Sequence, residues 1–184
     1  MHYLPLAIRC LIGTVFAVAA VSKVAGRAAF DQFAGSVRGW PLPAALPARP
    51  VAAVVVAGEF AVCLLLGLGA TTVGYAAALV LLAGFSVAVA WALVGGVRAP
   101  CRCFGASAAP LGPRHLVRNA VLAAVAAVGL VIGVTGTVPT GRQPGGVVVA
   151  VAAGLVLGGL VAVLDDIVEL FLPVSRQQPA GKSS

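Results

Sequence analysis

Charged side chains are scarce in this sequence. Only 9% of its 184 residues are charged, against roughly 25% in soluble domains, and five are acidic. This scarcity, together with 61% hydrophobic residues, excludes an ordinary soluble domain. The net charge of +7 does not indicate a nucleic-acid partner, because the basic residues flank apolar runs, where membrane topology accounts for them.

Charge is almost absent from five runs, each about 20 residues long, the length that spans a bilayer. The runs are continuous rather than alternating, so we predict an all-α integral membrane bundle. The 23 glycines would let its helices pack closely in the lipid bilayer. The first run lacks a basic leader and is too long for a signal peptide, so we expect it to be retained. The predicted spans are residues 5–25, 50–69, 73–95, 116–134 and 146–164.

These spans divide the chain into three parts. Residues 1–135 are predicted to form a four-helix transmembrane core. Residues 136–172 hold a fifth transmembrane helix with an amphipathic extension at the interface, and residues 173–184 form a polar, disordered tail. Within the core, we predict that residues 26–49 form a loop along the membrane interface, with Trp40 at the depth of the headgroups.

Cysteine is scarce too, and two of the four cysteines are one residue apart in the sequence Cys101-Arg102-Cys103-Phe104-Gly105. Thiols this close can form a strained, readily exchanged disulfide or bind a soft metal. Arg102 provides a positive setting that favours the thiolate, the reactive form. We favour redox exchange, with Cu(I) binding and inert thiols as alternatives. Cu(I) would need further soft ligands, and the only methionine is Met1.

Sidedness follows from the basic residues. With five spans, the loop that holds the two thiols shares a face with ten of the twelve lysines and arginines. The positive-inside rule therefore predicts a multi-pass protein of the cell membrane with this thiol loop in the cytoplasm. That placement conflicts with disulfide formation, because the cytosol keeps thiols reduced.

One carboxylate, Glu59, lies near the middle of the second predicted span. A carboxylate at that depth is costly and faces the bundle interior or a cavity. Its candidate partners are Arg9, Lys23 and Arg118. It serves either as a buried ion pair that fixes helix packing, or in proton handling or lining a small pocket.

Other polar residues lie at the thiol-loop ends of the spans. Lys23 ends the first span, and Arg118-Asn119 opens the fourth. Lys23 has the simple explanation of a lysine that snorkels to the interface, whereas Arg118 is close enough in sequence to support a thiolate. His115 is interpreted as a polar cap rather than as a proton shuttle.

The two remaining cysteines lie within predicted helices. Cys10 and Cys63 are each about five or six residues from the opposite face, on helices expected to be antiparallel neighbours. At a rise of 1.5 Å per residue, the two cysteines lie at nearly the same depth in the membrane, so their geometry permits a disulfide relay. A buried free cysteine usually behaves as a small hydrophobic residue, which is our interpretation of both.

Over residues 5–135, the order of these features resembles the MauE/DoxX family of redox-associated membrane proteins, in particular its methylamine-utilisation MauE branch. Cys-x-Cys-Phe-Gly between the third and fourth spans is the specific part of the resemblance. The matching residues are Arg9, Gly13 and Phe16, Ser22-Lys23, Glu59, Cys101-x-Cys103-Phe104-Gly105 and Arg118-Asn119.

The resemblance implies a four-helix membrane core and thiol or disulfide handling beside a thioredoxin-like partner. In the methylamine branch it implies maturation of the disulfide-rich small subunit of methylamine dehydrogenase. We therefore predict a thiol-redox protein in which Cys101 and Cys103 react, supported by Arg102, Arg118, Asn119, Glu59, Lys23 and Arg9. The sequence requires no cofactor or structural metal, although a quinone-like ligand or Cu(I) would be compatible. The rival interpretations are a non-catalytic anchor for a redox enzyme, a Cu(I)-binding protein and a small transporter coupled through Glu59.

Overall fold

Among the residues that it describes, the computed structural model of the protein has five long apolar helices and one short helix. It describes residues 3–38, 40, 46–95, 113–136 and 143–171, with side chains in the last range up to residue 163. Every regular element among these residues is helical, so the predicted all-α membrane bundle is confirmed. The helices are Leu4–Val24 (α1), Arg27–Val37 (α2), Ala48–Leu68 (α3), Thr71–Val94 (α4), Pro113–Thr135 (α5) and Pro144–Phe171 (α6).

Proline and glycine set the limits of α3. Pro47 precedes the helix in an extended conformation, and Gly69 ends it with a φ of 91°. A left-handed backbone conformation at this position favours glycine. The Gly69 N–H donates to the Leu66 carbonyl at 3.4 Å and so helps to end the helix. Helix α4 begins two residues later, so α3 and α4 are antiparallel neighbours joined by a tight turn.

Four of the long helices close a ring. Contacts run from α1 to α3, from α3 to α4, from α4 to α5, and from α5 back to α1. The core inside this ring takes large side chains from each helix, among them Phe16, Val62, Phe85 and Leu122. Since lipid-facing residues are also apolar here, the interior is distinguished by burial and not by hydrophobicity.

Helix α6 lies outside the ring, and its most extensive packing is against α1. Glycine permits this approach, because a Cβ atom at Gly154 would lie 2.5 Å from the Ala7 carbonyl oxygen. One turn later, a Cβ atom at Gly158 would lie 2.8 Å from the Leu11 carbonyl oxygen. Two glycines four residues apart therefore bring the backbones of α1 and α6 close together.

Helix α2 corrects the predicted loop over residues 26–49. Phe33, Ala34 and Val37 share one buried face of α2, which packs on α3 and α1. Trp40, three residues after α2, packs on the bundle through the Phe33 and Phe85 rings rather than only on a membrane interface. An 11-residue helix whose apolar residues are interrupted by polar ones lacks the long hydrophobic run by which the other five were found.

Arg9 stabilises the end of α3 that lies opposite α2. Its guanidinium Nη2 donates to the Gly67 carbonyl at 2.8 Å, in the last turn of α3. A cation also interacts favourably with the negative end of a helix dipole.

We expect Arg9→Met to lower the free energy of unfolding by about 1 kcal/mol. Thermal unfolding followed by circular dichroism in detergent measures the loss. The same experiment on Arg27→Met, at an exposed arginine, should show almost no change, and equal losses would contradict the capping role.

Candidate functional site

A buried ion pair links α1 to α3. The Lys23 ammonium Nζ lies 2.7 Å from Glu59 Oε1, and the two side chains are 1% and 0% exposed. Nζ also donates to the Ala19 carbonyl at 3.2 Å, one turn back along α1. Because side chains on a helix lean toward its N-terminus, Lys23 extends into the bundle and does not snorkel outward. Of the three candidate partners of Glu59, it is Lys23 that forms the ion pair.

Aromatic rings surround the ammonium of this pair. Lys23 Nζ lies 5.0 Å from the centre of the Phe33 ring and 5.7 Å from that of Phe85. The Trp40 ring packs edge-on against both, with centroid distances of 6.3 Å and 6.1 Å. Cation–π attraction is strongest where water is excluded, so the rings stabilise an ammonium that burial would otherwise disfavour.

The carboxylate of Glu59 is less fully bonded than the ammonium. Its Oε1 atom accepts from Lys23, whereas Oε2 is buried and accepts from no residue in the part of the chain that the structure describes. A buried acceptor in this condition carries a desolvation penalty of roughly 1–3 kcal/mol. Native structures keep few such atoms, and those they keep need an explanation.

Helix α5 adds polar groups to the same end of the bundle. Its buried face includes His115, Arg118 and Asn119, followed by Leu122 and Ala126 of the core. These positions recur at helical spacing, so the polar residues point inward as the core residues do. Asn119 Nδ2 donates to Ser86 Oγ on α4 at 3.5 Å. We name the resulting set the polar end: Lys23, Glu59, Ser86, His115, Arg118 and Asn119.

The predicted thiol loop belongs to this end by connectivity. Residues 96–112 join the last residues of α4 to the first of α5, and Cys101, Arg102 and Cys103 lie in that stretch, outside the described residues. Lys23 ends α1, and alternating helices bring that terminus to the same end of the ring. The chain therefore places five buried polar residues and the half-buried Ser86 at the end of the bundle to which the two thiols are tethered.

Arg9 and the other two cysteines lie elsewhere. Arg9 is about 21 Å from Lys23 along α1, at 1.5 Å per residue, so it does not join the polar end. Cys63 is half-buried, and its Sγ donates to the Gly13 carbonyl at 3.7 Å. Cys10 is a half-buried free thiol on the side of α1 that faces Gly154. The hydrophobic interpretation of both cysteines stays a prediction.

Comparison with known protein families gives the assignment. The family described as methylamine utilisation protein MauE matches residues 1–132, which include the ring helices, the polar end and both thiols of the loop. The chain belongs to the MauE family. The match covers most of α5 and stops before α6. No curated protein and no solved structure matches the chain.

Sequence reasoning missed the aromatic part of this MauE-family site. Phe30, Phe33, Ala34 and Val37 follow helical spacing within the supposed loop, and that pattern was the available signal for α2. The contact between Trp40 and Phe85 joins residues far apart in sequence and has no local signal.

Among the described residues, no three His, Cys, Asp or Glu side chains converge as a metal site. The polar end can hold charge and exchange hydrogen bonds through its buried side chains.

Proposed function

We propose that this MauE-family protein is a membrane thiol–disulfide exchange protein that reacts through Cys101 and Cys103 with a thioredoxin-like partner. The observation that carries the proposal is the polar end itself, which lies where the thiol segment joins α4 and α5. Among the buried side chains that the structure describes, two cations, Lys23 and Arg118, accompany one carboxylate, Glu59. The excess positive charge among these buried groups favours a thiolate over a neutral thiol in its vicinity.

The proposed chemistry is a two-step exchange. The thiolate of one cysteine attacks a sulfur of the partner's disulfide, forms a mixed disulfide and releases the partner's other sulfur as a thiolate. The second cysteine of the pair, once deprotonated, then attacks the mixed disulfide. The pair becomes oxidised, the partner becomes a dithiol with the two protons the pair gave up, and two electrons pass to the partner. The reverse sequence oxidises the partner.

Mixing the reduced, purified protein with oxidised thioredoxin tests the exchange. We expect the wild-type protein to lose two free thiols per chain, measured by mass after maleimide alkylation, while thioredoxin gains two. Cys103→Ser or Cys101→Ser should stop at a mixed disulfide that non-reducing electrophoresis detects. The double variant Cys10→Ser/Cys63→Ser is the matched control and should exchange as the wild type does.

Each alternative predicts a different experimental result. If a variant without both loop thiols supports its redox enzyme in cells at the wild-type level, the protein is a non-catalytic anchor. The exchange proposal is then wrong. Stoichiometric Cu(I) binding that depends on both thiols, with no exchange, identifies a metal carrier. Impaired growth on methylamine after deletion, restored by the wild-type gene only, would connect the exchange with the family's description.

We also propose the sidedness of the thiol loop. Lys23 and Arg118 are buried in the bundle, so they do not act as topology signals, yet eight basic residues remain on the thiol face against two on the other. This bias predicts a cytoplasmic thiol loop in the cell membrane. An impermeant maleimide applied to intact cells, with only Cys101 and Cys103 retained, should label nothing before permeabilisation. Labelling of intact cells, directly or after reduction, would place the thiols outside.

A further inference from the structure

Helix α2 covers the buried ion pair at the thiol end of the bundle. It lies between the end of α1 and the start of α3, and it packs on both. Its Phe33 ring is the nearer of the two that face the Lys23 ammonium, and Trp40 connects that ring to Phe85 on α4. Three aromatic rings from three separate parts of the chain thus close over one charged pair.

Helix α2 is attached through one small apolar cluster, in which its buried residues pack with Ala52 and Val56 of α3. Its buried residues are Phe33, Ala34 and Val37. On its outer side, Asp31 pairs with Arg49 at 2.5 Å, but both side chains are more than half exposed. Only Ala25 and Gly26 separate it from α1. Segments with few buried apolar contacts open locally at a small fraction of the global unfolding free energy.

We propose that Glu59 Oε2 is a water-binding site that fills from the thiol end when α2 and Trp40 move aside as a lid. The closed state leaves this acceptor without a donor among the described residues, which is unfavourable for a buried carboxylate. A water molecule that reaches the pair when the lid opens would supply that donor. The proposal rests on the ion pair and its cover, and does not depend on thiol exchange.

The groups that face the ion pair fit water better than a charged ligand. Lys23 already neutralises the carboxylate from α1. Helices α2 and α4 contribute rings, while α5 contributes Arg118, His115 and Asn119 to the same end. An entering cation would meet the Lys23 ammonium beside the carboxylate, and an anion would meet the carboxylate itself. A small neutral molecule that donates hydrogen bonds matches the unpartnered oxygen.

A water-soluble carbodiimide tests access to the pair directly. It activates the Glu59 carboxyl, the Lys23 amine displaces the activated group, and an amide forms while the carbodiimide leaves as its urea with the elements of water. The 2.7 Å separation makes the two groups ready to react as soon as the reagent enters. Mass spectrometry of the full-length protein in lipid vesicles detects the cross-linked peptides and follows their rate of formation.

We expect slow cross-linking in the wild-type protein and a rate about tenfold higher in Trp40→Ala, which loses two ring pairs. Trp91→Ala is the matched control, because Trp91 is 60% exposed on α4, and it should react at the wild-type rate. Asp31→Asn removes only the exposed pair and should raise the rate by about twofold to fivefold. Circular dichroism checks that each variant retains its helices.

Two results would overturn the proposal. Equal rates in the wild type, Trp40→Ala and Asp31→Asn would show that α2 does not control access. Rapid cross-linking by a lipid-soluble carbodiimide in every variant, with no reaction of the water-soluble reagent, would show that the pair is reached from the bilayer. Neither result depends on Cys101 or Cys103, so the lid and thiol exchange fail independently.

Discussion

Glu59→Gln is expected to destabilise the protein by about 3–5 kcal/mol, the usual penalty for removing one partner of a buried ion pair. The substitution leaves the Lys23 ammonium buried, with a neutral amide in place of its carboxylate and with the Ala19 carbonyl and two phenylalanine rings among its neighbours. Neutral groups of this kind do not replace the charge of a carboxylate at 2.7 Å. Thermal unfolding in detergent, followed by circular dichroism, measures the loss.

A double-mutant cycle separates the interaction energy of the ion pair from the effects of losing each residue alone. Lys23→Met alone leaves a buried carboxylate without its cation and should also be strongly destabilising. The double variant Lys23→Met/Glu59→Gln removes both charges and should be more stable than either single variant. Asp31→Asn, at the exposed pair, should change stability by less than about 1 kcal/mol. If Glu59→Gln unfolded at the wild-type temperature, the pair would not stabilise the contact between α1 and α3.

Gly158→Ala and Gly159→Ala are expected to change stability in opposite directions. A Cβ atom at Gly158 would lie 2.8 Å both from the Leu11 carbonyl oxygen and from Thr14 Cβ, and neither is the flexible tip of a side chain. Helix α6 must then move away from α1, which costs about 1–3 kcal/mol by analogy with overpacked cores. A Cβ atom at Gly159 meets nothing within 4 Å. That variant should gain up to about 1 kcal/mol from helix propensity.

Thermal unfolding in detergent, followed by circular dichroism, measures the stability of both glycine variants. A cross-link between α1 and α6 gives a second measurement of how closely the two helices pack. Combining Gly154→Ala with Gly158→Ala should enlarge the loss, because both residues touch the α1 backbone. The two residues lie one turn apart on a single face, so their effects need not add. A destabilised Gly159→Ala variant, matching Gly158→Ala, would contradict close packing as the cause.

Hydropathy predicted the five spans, because continuous apolar runs of this length have few other uses in a protein. The observed helices begin and end within about three residues of the predicted limits, except that α6 continues to Phe171. The early start of α5 at Pro113 places His115 inside the helix rather than ahead of it. Proline is tolerated in the first turn of a helix. The polar stretch before Leu116 nevertheless did not indicate in the sequence that the helix begins at Pro113.

The site was predictable only in part. An intramembrane carboxylate needs a partner, so Glu59 could be singled out and Lys23 could be proposed among its partners. The direction of the Lys23 side chain depends on Ala19, Glu59 and the aromatic rings together, which no local pattern encodes. The lysine therefore looked like an interface residue in the sequence. Trp40 and Phe85 meet only once the ring of helices is closed.

The packing of α6 on α1 has a consequence for the order of assembly. More than one hundred residues separate the end of α1 from the start of α6, so α1 enters the bilayer long before its most extensive neighbour is synthesised. Until then, the side of α1 that receives Gly154 and Gly158 faces lipid or the insertion machinery. A ribosome that stalls before α6 would leave the four-helix ring with this strip unsealed, and such a nascent chain should be recognised and degraded as incomplete.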